Sequence, residues 1–147
     1  LFRRPIVALL MGHPFELLIA FWGVIAGLPL ALGVITPSVT MAQLDPTLLS
    51  MFGFMLAFGG LAAFIGLYTF FVTSSYVHQI IAMRVEQTGW VVLGSAVLTH
   101  AILLIYLRAP GTTVGLITFF AISLACLGRY LSLRQVIRSY GRSLKGK

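Results

Sequence analysis

Residues Thr47 to Val72 read TLLSMFGFMLAFGGLAAFIGLYTFFV, an apolar run bounded by Asp45-Pro46 before it and Thr73-Ser74-Ser75 after it. A bilayer core of about 30 Å is crossed by ~20 helical residues, so this stretch is long enough to span. Three other stretches match it. The first runs from about Pro14 to Ile35, opened by His13-Pro14 and stopped by Thr36-Pro37-Ser38. The third runs from about Thr88 to Leu107 and ends at Arg108-Ala109-Pro110-Gly111. The fourth runs from about Thr112 to Leu133 and passes into a basic tail, residues 134–147.

In lipid each span must satisfy its own backbone groups, which leaves helices or closed barrels. Barrel strands alternate over segments of ~10 residues, and these runs are continuous and about twice as long. The expected fold is all-α: a four-helix transmembrane bundle with short interfacial helices and a basic C-terminal helical tail. All 147 residues are expected to form one integral membrane domain.

Composition agrees. Hydrophobic residues make up 59% and charged residues 9%, against roughly 45–50% and about 25% in soluble domains. Three acidic and ten basic side chains cannot cover a soluble surface, which is rich in polar groups. Disorder is excluded too, since its signature is low hydrophobicity. One cysteine, Cys126, rules out an intrachain disulfide and a cysteine metal cluster. Arg3 and Arg4 ahead of an apolar stretch look like a signal peptide, but no small-residue cleavage site followed by a polar domain appears.

The net charge of +7 sits at the flanks of the apolar runs, where anionic lipid headgroups are the nearer partner than nucleic acid. Arg3, Arg4, Arg84, Arg129, Arg134, Arg138, Arg142, Lys145 and Lys147 fall on one side of the spans, and Arg108 alone on the other. By the bias of lysine and arginine toward the cytoplasm, both termini are expected there, in a multi-pass protein of the cytoplasmic membrane. Leu1 to Met11 suits the headgroup boundary. Tyr76 to Gln87 mixes Val77, Ile80 and Ile81 with His78, Gln79, Arg84 and Glu86 at helical spacing; it is expected as an interfacial helix, with Glu86 in a solvated link. In the tail, Arg134, Arg138 and Arg142 recur every four residues on one helix face, placed to contact anionic lipid or to anchor the topology.

Few residues inside the spans could carry chemistry. Gly23 and Gly27, extended by Ala31, and Ala62 with Gly66 beside Gly59-Gly60, form small-residue patches that let helix backbones approach, within the chain or between copies. Pro29 is expected to kink the first span. His100 is the ionisable group well inside a span, with Ser123 at similar depth on the fourth. No carboxylate shares that depth, so a neutral, hydrogen-bonded packing histidine is expected rather than a transport residue. Glu16 and Arg129 match in depth, which allows an ion pair; each alone would snorkel to the interface. Asp45 before Pro46 reads as a turn or cap residue. No nucleophile–base constellation or phosphate loop appears, so no enzyme activity, metal or cofactor is expected. A haem between His13, His78 and His100 is disfavoured, because the first two lie at the surface in this topology.

The segment Arg4 to Leu18, RPIVALLMGHPFELL, and Arg84 to Gly89, RVEQTG, ahead of the third span, resemble small four-span membrane proteins of actinobacterial phages, grouped loosely with holins or left uncharacterised. The likeness covers most of the chain in layout. It implies no catalytic residues, and four spans are more than holins usually carry. The function expected is a non-enzymatic membrane protein that self-associates, holin-like, through small-residue faces. The alternative is a structural or accessory subunit of a larger membrane complex. A small channel or transporter stands third, with His100 its advocate.

Overall fold

The computed structural model describes residues 12–35, 44–107 and 113–145, with side chains described through residue 139. Four helices follow one another: α1 (Pro14–Ala31), α2 (Pro46–Val72), α3 (Tyr76–Tyr106) and α4 (Thr113–Lys145). All four contain windows long and apolar enough to cross a membrane. Among the described residues all regular structure is helical, and the chain is a four-span integral membrane protein. The segment Leu1 to Met11, Arg108 and the Arg142 side chain lie outside the described residues.

Local chemistry sets the helix ends. Pro14 and Pro46 open α1 and α2 in the first turn, where the missing N–H costs nothing. The Asp45 side chain accepts a hydrogen bond from the Thr47 amide at 2.8 Å, capping α2. At the far end of α1, Gly33 takes a φ of 66°. Around it, the Val34 N–H donates to Pro29 O at 2.9 Å and the Gly33 N–H to Leu30 O at 3.2 Å, the paired bonds of a Schellman motif. The first span therefore stops at Ala31, short of the expected Ile35, because a left-handed glycine closes it before the apolar sequence runs out.

The third span departs further from expectation. Tyr76 to Gln87 is not a separate interfacial helix but the first 12 of the 31 residues of α3, which runs unbroken to Tyr106. Its buried positions, Met83, Glu86, Trp90, Leu93 and Val97, recur every three or four residues, so one inward stripe crosses the supposed boundary. Gln79 Nε2 donates to Thr73 O at 3.0 Å and ties this first turn to the short link from α2.

Helices α1, α2 and α3 pack through glycine. A Cβ on Gly27 would stand 2.6 Å from Gly53 O on α2, and one on Gly59 would stand 2.6 Å from the Leu93 amide nitrogen on α3. Ser50 Oγ donates to Ala31 O at 2.8 Å, holding the end of α1 on α2. Helix α4 lies along α3 through Cys126, Leu133 and Ile137. Of its apolar window, 6% is buried inside the chain, against 28%, 33% and 39% for α1, α2 and α3. Large side chains such as Phe15, Phe54, Phe58, Ile117 and Leu124 point outward, an inversion that suits lipid as the solvent.

Candidate functional site: a buried carboxylate where three helices meet

Glu86 is 1% exposed. It faces inward because it lies on the α3 stripe, three residues after Met83 and four before Trp90. Two other helices supply its surroundings. Arg129 on α4 donates to Glu86 Oε1 from both Nε and Nη2, each at 2.8 Å. Trp90 Nε1 donates to the same oxygen at 3.1 Å. The remaining guanidinium nitrogen of Arg129 lies 3.6 Å from Glu16 Oε1 on α1. His13 Nδ1 stands 3.3 Å from that Glu16 oxygen, with its ring edge-on to Phe71 at 5.6 Å.

Helix α2 reaches this cluster through Phe71, which packs on His13, and through its backbone. Gly66 on α2 brings the chain so near α3 that a Cβ there would stand 2.6 Å from Glu86 Cα. One guanidinium thus faces two carboxylates, one fully enclosed and one about a quarter exposed. A half-open cleft of about 370 Å³ between α1 and α4 runs past Phe15, Glu16, Arg129 and Ser132. Glu86 precedes Tyr106, the last residue of α3, by about 30 Å of helix at 1.5 Å per residue. That is the thickness of a hydrocarbon core, so with Tyr106 at one membrane boundary the cluster would stand at the other. In low dielectric a carboxylate is held only by pairing, and a lost partner leaves an uncompensated charge. The arrangement is a latch that fixes α4 against α3 and α1.

Glu86 is the correction this site makes to the sequence reading, which put it in a solvated link. Glu16 and Arg129 do stand together, but the shorter, more enclosed contact of Arg129 is with Glu86. The signal was Glu86's spacing from Met83 and Trp90, which matches the core stripe.

The other candidate residues fall elsewhere. Gly23 and Gly27 lie against α2, with Gly23 also meeting Leu93. Ala62 is half-buried, whereas its neighbour Ala63 is fully buried and sits at the backbone of Gly89. His100 is flanked by Phe119, edge-on at 4.4 Å, and Phe52 at 5.5 Å. Ser123 is not its partner: the hydroxyl donates to Gly94 O at 3.1 Å. Contrary to the hydrogen-bonded histidine expected, His100 Nδ1 is buried with no partner among the described residues. Arg134 and Arg138 are exposed on α4. Among the described residues, no three His, Cys, Asp or Glu side chains converge as a metal site.

Compared with known proteins, the chain matches no family model, no curated protein and no solved structure.

Proposed function

We propose that the chain is a non-enzymatic integral membrane protein that acts by lateral association with copies of itself, in the manner of a holin. The observation that carries this reading is α4. Its apolar window is only 6% buried within the chain, yet its inner stripe is fixed in register by the Glu86–Arg129 latch. A rigidly held helix with most of its surface free is suited to pack against another helix in the bilayer. The glycine faces of α1, α2 and α3 are engaged within the chain, so association runs through the outer faces of α4 rather than through Gly23, Gly27 or Gly66. Arg134 and Arg138, exposed beyond the latch, hold that end at anionic headgroups, which on the charge bias is the cytoplasmic side.

The test is inducible expression with a membrane-potential dye. Collapse of the potential above a threshold of expression is expected, and an undisturbed potential at high expression removes the holin-like role.

One observation favours a second reading, an accessory subunit of a larger membrane complex. The Thr88, Thr99 and Thr118 hydroxyls each donate to the carbonyl four residues back in their own helix, leaving these spans little polarity with which to line a water path. Purification in mild detergent separates the two. A homo-oligomer supports self-association, and foreign chains in fixed ratio support the accessory role.

A further inference from the structure

Just past the latch, exposed arginines on two helices have no carboxylate to face. The chain carries three acidic side chains, Glu16, Asp45 and Glu86. Glu16 and Glu86 both lie against Arg129. Asp45 caps the start of α2, about 30 Å of helix from Gly66 at the latch. Arg84 on α3 and Arg134 on α4 are exposed, and no ion pair holds either among the described residues. The two helices run antiparallel, with Gly94 beside Ser123 and Glu86 beside Arg129. Arg84 precedes Glu86 by two residues and Arg134 follows Arg129 by five, so both stand about 3–8 Å beyond the latch.

On the inner side of the latch the same two helices enclose a half-open groove of about 520 Å³. Val91, Ser95 and Leu98 line it from α3, and Phe120, Leu127 and Tyr130 from α4. Helical spacing carries both walls to the arginines. Arg84 lies seven residues before Val91, and Arg134 lies seven after Leu127 and four after Tyr130, intervals that keep side chains on one face. The Ser123 hydroxyl in the wall already donates to Gly94 O at 3.1 Å, which leaves a surface suited to hydrocarbon. Phe120 to Tyr130 is about 15 Å of helix, half of the ~30 Å hydrocarbon core and so the depth of one leaflet. A helix from a second copy would need a groove along the whole span, whereas one lipid chain needs this length.

We propose that the α3–α4 groove seats one acyl chain of an anionic phospholipid, with its phosphate held between Arg84 and Arg134. Guanidinium groups match phosphate oxygens in geometry as well as charge, and basic sites between membrane helices select anionic headgroups. The seated chain distinguishes this site from the diffuse attraction of Arg134 and Arg138 to any negative surface. The groove faces one leaflet whether or not copies of the chain associate, so the site stands apart from that reading.

Native mass spectrometry of the full chain in mild detergent, with dioleoylphosphatidylglycerol or dioleoylphosphatidylcholine added, tests the site. Saturable retention of one phosphatidylglycerol is expected, at least about tenfold tighter than phosphatidylcholine. Excess inorganic phosphate is expected not to displace it. Arg84→Gln and Arg134→Gln, both at exposed positions, are each expected to weaken phosphatidylglycerol about fivefold and to leave phosphatidylcholine unchanged. Arg138→Gln removes the same charge one turn farther out and is expected to have a clearly smaller effect. Ser95→Phe puts a ring into the groove from an exposed position and is expected to weaken phosphatidylglycerol with the arginines in place. Equal retention of the two lipids by the unaltered chain overturns the proposal, whatever the variants do. So does an equal loss from Arg134→Gln and Arg138→Gln, which would mean diffuse attraction. A dimer that retains no lipid and that Ser95→Phe dissociates would give the groove to a second copy and overturn it too.

Discussion

Arg129 places both Nε and Nη2 at 2.8 Å from one oxygen of Glu86, across a sequence separation of 43 residues. That contact joins the last helix to the third at the level where α1 begins. Removing either charge strands the other in a low-dielectric site, whereas removing both does not. Arg129→Leu is therefore expected to cost ~3–5 kcal/mol in reversible unfolding from detergent micelles. Pairing it with Glu86→Gln is expected to recover a large part of that loss. Glu16→Gln, whose carboxylate is part-exposed and 3.6 Å away, is expected to cost about 1 kcal/mol or less. Equal losses for the two glutamates would contradict the geometry.

Where the protein lives and how many times it crosses were legible because hydrocarbon constrains sequence bluntly: Thr47 to Val72 admits no other reading. What was not legible depended on direction around a helix or on a distant partner. Glu86 has Arg84 and Gln87 for near neighbours, which suggests water, while the residue that neutralises it lies on another helix. Ala62 and Ala63 differ by one position, but one position is about 100° of rotation, and it is Ala63 that meets Gly89. Depth matched Ser123 to His100, yet depth says nothing about azimuth, and the serine turned to Gly94. The stop at Gly33 was hidden because Val34 and Ile35 continue the apolar run past it.

Gly66 and Gly27 allow backbone-to-backbone approach, where no flexible side chain can yield. Gly66→Ala and Gly27→Ala are expected to destabilise by about 1–3 kcal/mol or more through overpacking. Gly128→Ala is the control. It lies in α4, nothing stands within 4 Å of its added methyl, and it is expected to be neutral or stabilising by up to ~1 kcal/mol. The same detergent unfolding assay reads all three, and a neutral Gly66→Ala would deny the tight α2–α3 crossing.

The Asp45 cap gives the start of α2 a pH dependence. The Thr47 amide, bonded to its side chain, holds the Asp45 carboxyl below its usual range. A lowered folded value means that the stabilisation is complete above the ordinary aspartate value of about 3.9 and fades as pH falls through the folded value. The protection of the Thr47 amide, its exchange taken relative to the intrinsic rate at each pH, is expected to fall on acidification below that point. Asp45→Asn keeps an acceptor for the cap and is expected to remove this acid-linked component; an identical pH profile in the variant would show that the cap does not titrate.

Cys126 offers a direct readout of whether the latch holds α4. Its side chain is 1% exposed, enclosed where α4 meets α3, with the Gly94 backbone alongside. A membrane-permeant maleimide is therefore expected to label it slowly in the intact protein, since reaction requires α4 to lift. Arg129→Leu loosens the contact one turn away, and labelling is expected to accelerate at least about tenfold, the factor produced by ~1.4 kcal/mol in an opening equilibrium. Arg134→Leu, an exposed position on the same helix, is expected to leave the rate unchanged. Rapid labelling of the unaltered chain would mean that α4 is not fixed on α3. Slow labelling in both variants would mean that apolar packing through Leu133 and Ile137 holds the helix without help from the charges.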